Sequence, residues 1–225
     1  MIGKIEITKR AHISRRKFDT IFDCFISDTT ALQASEITRV NYNTAKRYFN
    51  LFREIIYLSA TKERKEVNLS NGIEVDESYF GAKRVRGKRG RGAGRKVIVL
   101  GLLKRKGKIY TQIVLKANKK ELMPIIKKVV KSGSDIYTDG WRSYNALAVY
   151  GYNHKKVKHS EDEFAREDGT HINGVESFWS WTKRRLAKYN GMTKEQFSRY
   201  LVESEWRFNH RENLRSDLRK MLRIL

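Results

Sequence analysis

Asp76, Asp139 and Glu176 are the residues of this chain whose types and placement can do chemistry. Carboxylates brought together repel one another unless a cation neutralises them, and hard oxygen ligands of this kind suit Mg²⁺. Two such ions, ~3.5–4 Å apart, can activate an attacking oxygen and stabilise a leaving one in phosphoryl transfer. The nucleophile is then water for cleavage of a strand, or a liberated 3′-hydroxyl for its transfer, and no Ser, Tyr or Cys nucleophile is required. Lys183 lies seven residues after Glu176 in His171-Ile-Asn-Gly-Val-Glu-Ser-Phe-Trp-Ser-Trp-Thr-Lys-Arg-Arg-Leu186. On a helix that is about two turns, so acid and lysine leave the same face.

Each acid has a plainer reading. Asn173-x-x-Glu176 fits a capping box at a helix start. Asp139-Gly140 is also an ordinary turn. Asp76 is followed by Glu77, and strand alternation sends only one of the two toward a site. Glu74 reads as exposed, or as lying just behind the metal ligands. His154, His159 and His171 have no zinc-ligand spacing. Trp179 and Trp181 suit a core as well as a base-stacking platform.

The elements that must position these acids follow from periodicity. Ile73 to Phe80 alternates as a strand carrying Asp76. Val97–Leu103 is a continuous apolar strand, and Ile109–Leu115 follows after Lys106-Gly107-Lys108, which makes an antiparallel meander. A helix over Lys119–Val130 tolerates Pro124 near its start. The strand Asp135–Asp139 comes after this crossover and is expected parallel to its neighbour. Trp141–Tyr150 reads as a second helix, His154–His159 as an edge strand, and 160–170 as an acidic loop. After the helix bearing Glu176, Thr193-Lys-Glu-Gln196 caps a last long helix that ends near Asn209. In the order β-β-β-α-β-α-β-α, strands one and four can be neighbours. That brings Asp76 to Asp139, with Glu176 arriving on a helix packed against the sheet.

Upstream, Phe18–Phe25 has helical spacing, Thr30-Ala-Leu-Gln33 is a capping box, and Asn43 can cap a helix from Thr44 to about Leu58. Helix, short turn, helix is a helix-turn-helix pattern, and Asn43, Thr44, Lys46 and Arg47 would face a major groove. The other reading is an ordinary three-helix unit. The expected organisation is a helix-turn-helix domain at 1–60, a charged linker at 61–70, the catalytic domain at 71–213 and a helical tail at 214–225.

Forty-eight Lys and Arg against 25 Asp and Glu give a formal charge of +23. That surplus is self-repelling without a polyanion, which makes nucleic acid the leading partner. Gly81–Lys96 holds eight basic residues and five glycines. It cannot bury a core, so Lys83, Arg84, Arg86, Lys88, Arg89 and Arg91 are expected on a loop tracking a phosphate backbone. No apolar run approaches the ~18–20 residues of a membrane span. One cysteine, Cys24, excludes an internal disulfide framework or a multi-cysteine zinc site. The expectation is a soluble, intracellular protein.

Glu74-Val-Asp-Glu-Ser-Tyr-Phe-Gly81, the glycine- and arginine-rich loop, Tyr137-Thr-Asp-Gly-Trp141 and His171-Ile-Asn-Gly-Val-Glu-Ser-Phe-Trp179, in that order, resemble an IS1595-type (ISXO2-like) insertion-sequence transposase over roughly residues 70–212. The resemblance implies a ribonuclease H-like mixed α/β fold and a DDE-type metal triad at Asp76, Asp139 and Glu176. It also implies two Mg²⁺ (or Mn²⁺) ions and a basic residue at Lys183, with Arg184 beside it on DNA. The implied activity is cleavage of element ends and 3′-hydroxyl strand transfer into target DNA. The implied partners are double-stranded terminal inverted repeats and target DNA, engaged as a homodimer or higher oligomer, in prokaryotic cytoplasm at the nucleoid and not at a membrane. Two departures matter. Many relatives carry an N-terminal cysteine zinc ribbon, which Cys24 cannot build, so end recognition would fall to the helix-turn-helix. Some branches use Asn as the third ligand, which makes Asn173 an auxiliary candidate, with His171 another near DNA or a carboxylate. A related nuclease without joining, or an inactive DNA-binding derivative, are the alternative functions.

Overall fold

A computed structural model of the chain describes residues 13–81, 84–85, 88–89, 96–140, 142–157, 171–189 and 191–223. The fold of its larger unit, Arg64–Asn209, follows from strand alternation. In β1 (Ile73–Phe80), Ile73 and Val75 point to one side of the sheet. There they meet Leu100 and Leu102 of β4 (Val97–Lys104), Ile136 of β6 (Asp135–Asp139), and Leu122 and Ile126 of α4 (Lys119–Val129). Phe80 points to the other side, into a second core with Val99, Leu103, and residues of α5 (Asn173–Leu186) and α6 (Lys194–Asn209). Helices therefore cover both faces of one sheet.

The sheet has the order β5-β4-β1-β6-β7, with β5 at Ile109–Val114 and β7 at Asn153–Val157. β4 runs antiparallel to both β1 and β5, whereas β6 and β7 run parallel to β1. This is the expected meander followed by a parallel crossover, and it is a ribonuclease H-like mixed sheet. The exposed edge at β5 is closed by side chains, which blunts edge-to-edge pairing. Asn209 accepts from the Ile109 N–H at 2.8 Å and donates to its carbonyl at 2.9 Å. Glu205 accepts from the Thr111 N–H at 2.7 Å, and Arg64 donates to the Thr111 carbonyl.

The smaller unit takes the chain through Glu63 and from His210 onward. It contains α1 (Arg15–Ile26), α2 (Ala31–Thr38), most of α3 (Tyr42–Lys65) and α7 (Leu214–Arg223). Phe22 and Phe25 of α1 meet Phe49 and Phe52 of α3 edge-on at 5.1–5.7 Å. The Thr30–Gln33 capping box forms as expected. Arg39, in the left-handed region at φ 50°, turns the chain between α2 and α3. The cap of α3 is Asn41 rather than Asn43: its side-chain oxygen accepts from the Asn43 N–H at 2.8 Å.

Other expectations are corrected. Thr61–Lys65 is helix, not linker, because α3 continues until Arg64 lies over the Tyr110 ring at 4.7 Å and pairs with Glu205 at 3.2 Å. The tail from Leu214 packs with the N-terminal helices: Leu218 is fully buried, and Arg219 donates to Asp19 at 3.0 Å. The stretch expected as a helix over Trp141–Tyr150 forms two 3₁₀ turns, Arg142–Tyr144 and Ala148–Tyr150. Tyr144, Ala146 and Leu147 are all buried, and one α-helix would put Tyr144 and Ala146 on opposite sides. The acidic loop expected at 160–170 lies outside the described residues.

Candidate active site

The pleat of β1 separates its acids. Glu74 and Asp76 share the face that α5 covers, while Glu77 points to the opposite face, where its charge reaches Tyr144. β1 and β6 pair in parallel register through Val75↔Thr138. The next residue on each strand is Asp76 and Asp139, so the two acids are neighbours across the sheet.

α5 crosses this face in the same direction as β1, seated by small residues. At Gly174 a Cβ would stand 2.7 Å from Leu103 and 2.8 Å from a Glu74 carboxylate oxygen. At Gly101, the β4 partner of Asp76, a Cβ would stand 2.4 Å from the Trp179 ring. Further along, the Lys183 ammonium lies 5.7 Å from the centre of the Phe80 ring. Trp179 is therefore core, with its ring against the sheet, and Trp181 packs partly buried against Phe178 and Phe208.

Glu176 lies exposed in the first turn of α5, where the helix dipole favours the anion. The pKa of Asp76 rises from 3.8 to about 6, first through burial and then through the charges of Asp139 and Glu176. The Glu77 backbone amide opposes part of this rise. So does the buried Trp179 indole N–H, which completes no hydrogen bond of its own but lies close to Asp76. Burial lowers the Lys183 pKa and Lys96 lowers it further, whereas the charge of Asp76 raises it. Asp76 thus feels both other acids and the lysine. The donor set, oxygen only and mutually repelling, is of the kind a hard divalent cation satisfies. Among the described residues, no three His, Cys, Asp or Glu side chains converge closely enough to hold an ion as they stand.

The cap expected from Asn173 and Glu176 does not form. Ile172 precedes α5 without a side-chain cap, and Asn173 is exposed in the first turn. Glu74 serves instead. It is 1% exposed, which rules out the exposed one of its two expected positions, and it accepts from the Val175 N–H at 2.9 Å. Arg105 donates to Glu74 at 3.2 Å and to the His171 carbonyl at 2.6 Å, while its guanidinium stacks 3.5 Å from the centre of the Tyr137 ring. His171 lies here too, with Nδ1 3.5 Å from Glu74. Strand alternation puts Glu74 on the face of Asp76 and was a readable signal. Arg105, distant in sequence, had none.

Lys183 and Arg184 are exposed, Arg184 donating to Ser180, whereas Arg185 is buried on Glu203. In the basic loop, β2 (Arg84–Val85) pairs antiparallel with β3 (Lys88–Arg89). Lys83, Arg86 and Arg91 lie outside the described residues. Asn43, Lys46 and Arg47 are exposed on the first turns of α3 and Thr44 is half-buried, with Lys46 5.7 Å from the centre of the Tyr42 ring.

The profile of the ISXO2-like transposase domain matches residues 68–209. An uncharacterised transposase-like protein of Haemophilus influenzae is 46% identical over 107 residues, covering 48% of this chain and 85% of that protein. An uncharacterised protein in the transposable element ISH50 of Halobacterium salinarum is 24% identical over 203 residues, covering 83% of this chain and 67% of that one. Among solved structures, the catalytic domain of the Mos1 mariner transposase aligns at 13% identity with a TM-score of 0.38, over 77% of this chain and 91% of that one.

Proposed function

This chain belongs to the ISXO2-like transposase family, and on that premise we propose that it cuts the ends of an insertion sequence and joins the liberated 3′-hydroxyl to target DNA. The observation that carries the reading is the position of Asp76, half-buried beside Asp139 in parallel register and under the charges of Asp139 and Glu176. Those three acids are proposed as the ligands of two Mg²⁺ or Mn²⁺ ions. When bound, the ions supply activation of the attacking oxygen and charge stabilisation of the leaving one.

The chain's own groups do the rest. Asp76 and Asp139, on adjacent central strands, give the site a rigid floor. Glu176 enters from α5, and Lys183, two turns further along, provides a cation for the phosphate backbone. Lys83, Arg84, Arg86, Lys88, Arg89, Arg91 and Arg184 extend that contact along the strand. Asn43, Thr44, Lys46 and Arg47 read the terminal repeat from the first turns of α3. Function at two ends calls for a dimer or higher assembly on DNA.

The test uses the purified chain with Mg²⁺ or Mn²⁺ and duplex DNA taken from either side of its own reading frame. Cleaved and joined products are expected, and both should fall ~10²–10³-fold in Asp139→Asn and Glu176→Gln. Cleavage without joining would replace the reading with a nuclease. Binding alone would replace it with a DNA-binding derivative.

A further inference from the structure

Glu74 lies outside the proposed metal-binding set, yet it is closely built into the structure around it. Its carboxylate is 1% exposed, and a buried anion is retained only where it is paired and hydrogen-bonded. One oxygen accepts from Arg105 at 3.2 Å and lies 3.5 Å from His171 Nδ1. The other accepts from the Val175 N–H at 2.9 Å, an amide at the start of α5 that has no partner within the helix. No side chain of α5's own N-terminal residues caps it, so this contact replaces a local cap. Gly174 permits the approach, because a Cβ there would stand 2.8 Å from that same oxygen.

We infer that Glu74 is a positioning residue for the active site: it sets the start of α5, and with it Glu176, against β1. The inference rests on the reading of Glu176 as a catalytic acid. The geometry behind it is short. Glu74 is two residues from Asp76 on the same face of one strand, and Val175 is the residue before Glu176. One hydrogen bond therefore joins the two acids through three covalently linked steps, leaving little slack between them. Trp179, seated on Gly101 beside Asp76, fixes the helix again one turn on. Arg105 completes the anchor by holding the His171 carbonyl at 2.6 Å, so the chain entering α5 is tied as well. A capping side chain supplied by the helix itself would fix only the helix; one supplied by the strand fixes the helix to the strand.

The test compares full-length wild type with Glu74→Ala, Glu74→Gln and Glu176→Gln. It measures amide hydrogen exchange without metal and Mn²⁺-dependent cleavage of the flanking-DNA duplex. Glu74→Ala should speed exchange over residues 172–177 about fivefold to tenfold, leave α6 protected, and raise the Mn²⁺ concentration needed for half-maximal cleavage. Glu74→Gln keeps an oxygen acceptor for the Val175 amide and should restore most of both. Wild-type exchange over 172–177 in Glu74→Ala overturns the inference, as does failure of Glu74→Gln to restore what Glu74→Ala lost. Should Glu74→Ala unfold throughout, the Glu74→Gln protein decides: near-wild-type exchange and Mn²⁺ dependence support the anchor, and loss of either refutes it. Glu176→Gln cleaving at the wild-type rate would instead sink the reading of Glu176, and with it the link from Glu74 to chemistry, whatever the exchange shows.

Discussion

Two sets of acids in the larger unit live in opposite surroundings. On α6, Glu203 is 1% exposed between the guanidiniums of Arg185 and Arg207, and Glu205 is 3% exposed against Arg64 and the Thr111 amide and hydroxyl. Around β1, Asp76 is half-buried, but the charges pressing on it first are those of Asp139 and Glu176, and its pKa climbs to about 6. The same residue type is satisfied in one place and in conflict in the other. Acids matched by cations and donors of the chain itself hold the fold together. An acid whose pKa is raised by burial and by neighbouring acids suits a ligand that the chain does not supply, and such perturbed groups gather at functional sites.

If that contrast is right, removing an acid should have opposite consequences in the two places. Glu203→Ala leaves two buried guanidiniums without their shared anion. It should destabilise the protein by ~3–5 kcal/mol, the cost of breaking a buried pair from one side, as read from urea unfolding. A loss below 1 kcal/mol would erase the distinction.

Asp76→Asn should do the reverse. A carboxyl raised from 3.8 to about 6 in the folded protein binds its proton more tightly there than in the unfolded chain. Its contribution to stability is therefore present below pH 3.8 and lost as pH rises through about 6. The conflict corresponds to ~2–3 kcal/mol at neutral pH. Asp76→Asn should gain about that much in urea unfolding at pH 7.5, gain little at pH 4, and lose cleavage at the same time. A variant destabilised at pH 7.5 would show that Asp76 is a structural acid like Glu203.

How much of this was legible in the sequence depends on distance along the chain. Strand alternation read β1, a continuous apolar run read β4, the Lys106–Lys108 turn led to β5, and the crossover rule placed β6 beside β1, so the neighbourhood of Asp76 and Asp139 followed from pattern alone. The Thr30–Gln33 and Thr193–Gln196 boxes were readable because each bond closes within three residues. The cap of α5 was misread because its acceptor, Glu74, comes from 101 residues upstream and leaves no local signature. Lys183, Arg184 and Arg185 are consecutive basic residues, yet successive helical residues are 100° apart and Arg185 turns inward to Glu203. Thr61–Lys65 read as a linker for its charge, but its helical propensity and the reach of Arg64 to Glu205 decided otherwise.

Lys183 sharpens the comparison at its weakest point, because it is the cation nearest in kind to Arg185 on the acids' side of the contrast. Its ammonium feels Asp76, but burial and Lys96 outweigh that attraction and lower its pKa, and the residue stays exposed. Arg185, two positions on, is 5% exposed and bound to Glu203 and to Ser204 at 2.9 Å. If Lys183 were a structural partner of Asp76, Lys183→Met would unfold more easily by a kilocalorie or more. If it is held for a phosphate, stability should change by no more than ~0.5 kcal/mol. DNA affinity should then fall about tenfold at low salt, and the slope of log affinity against log salt should shrink by about one. The stability change and the salt slope read together decide it: a lysine that belongs to the fold moves the first, and one that belongs to the nucleic acid moves the second.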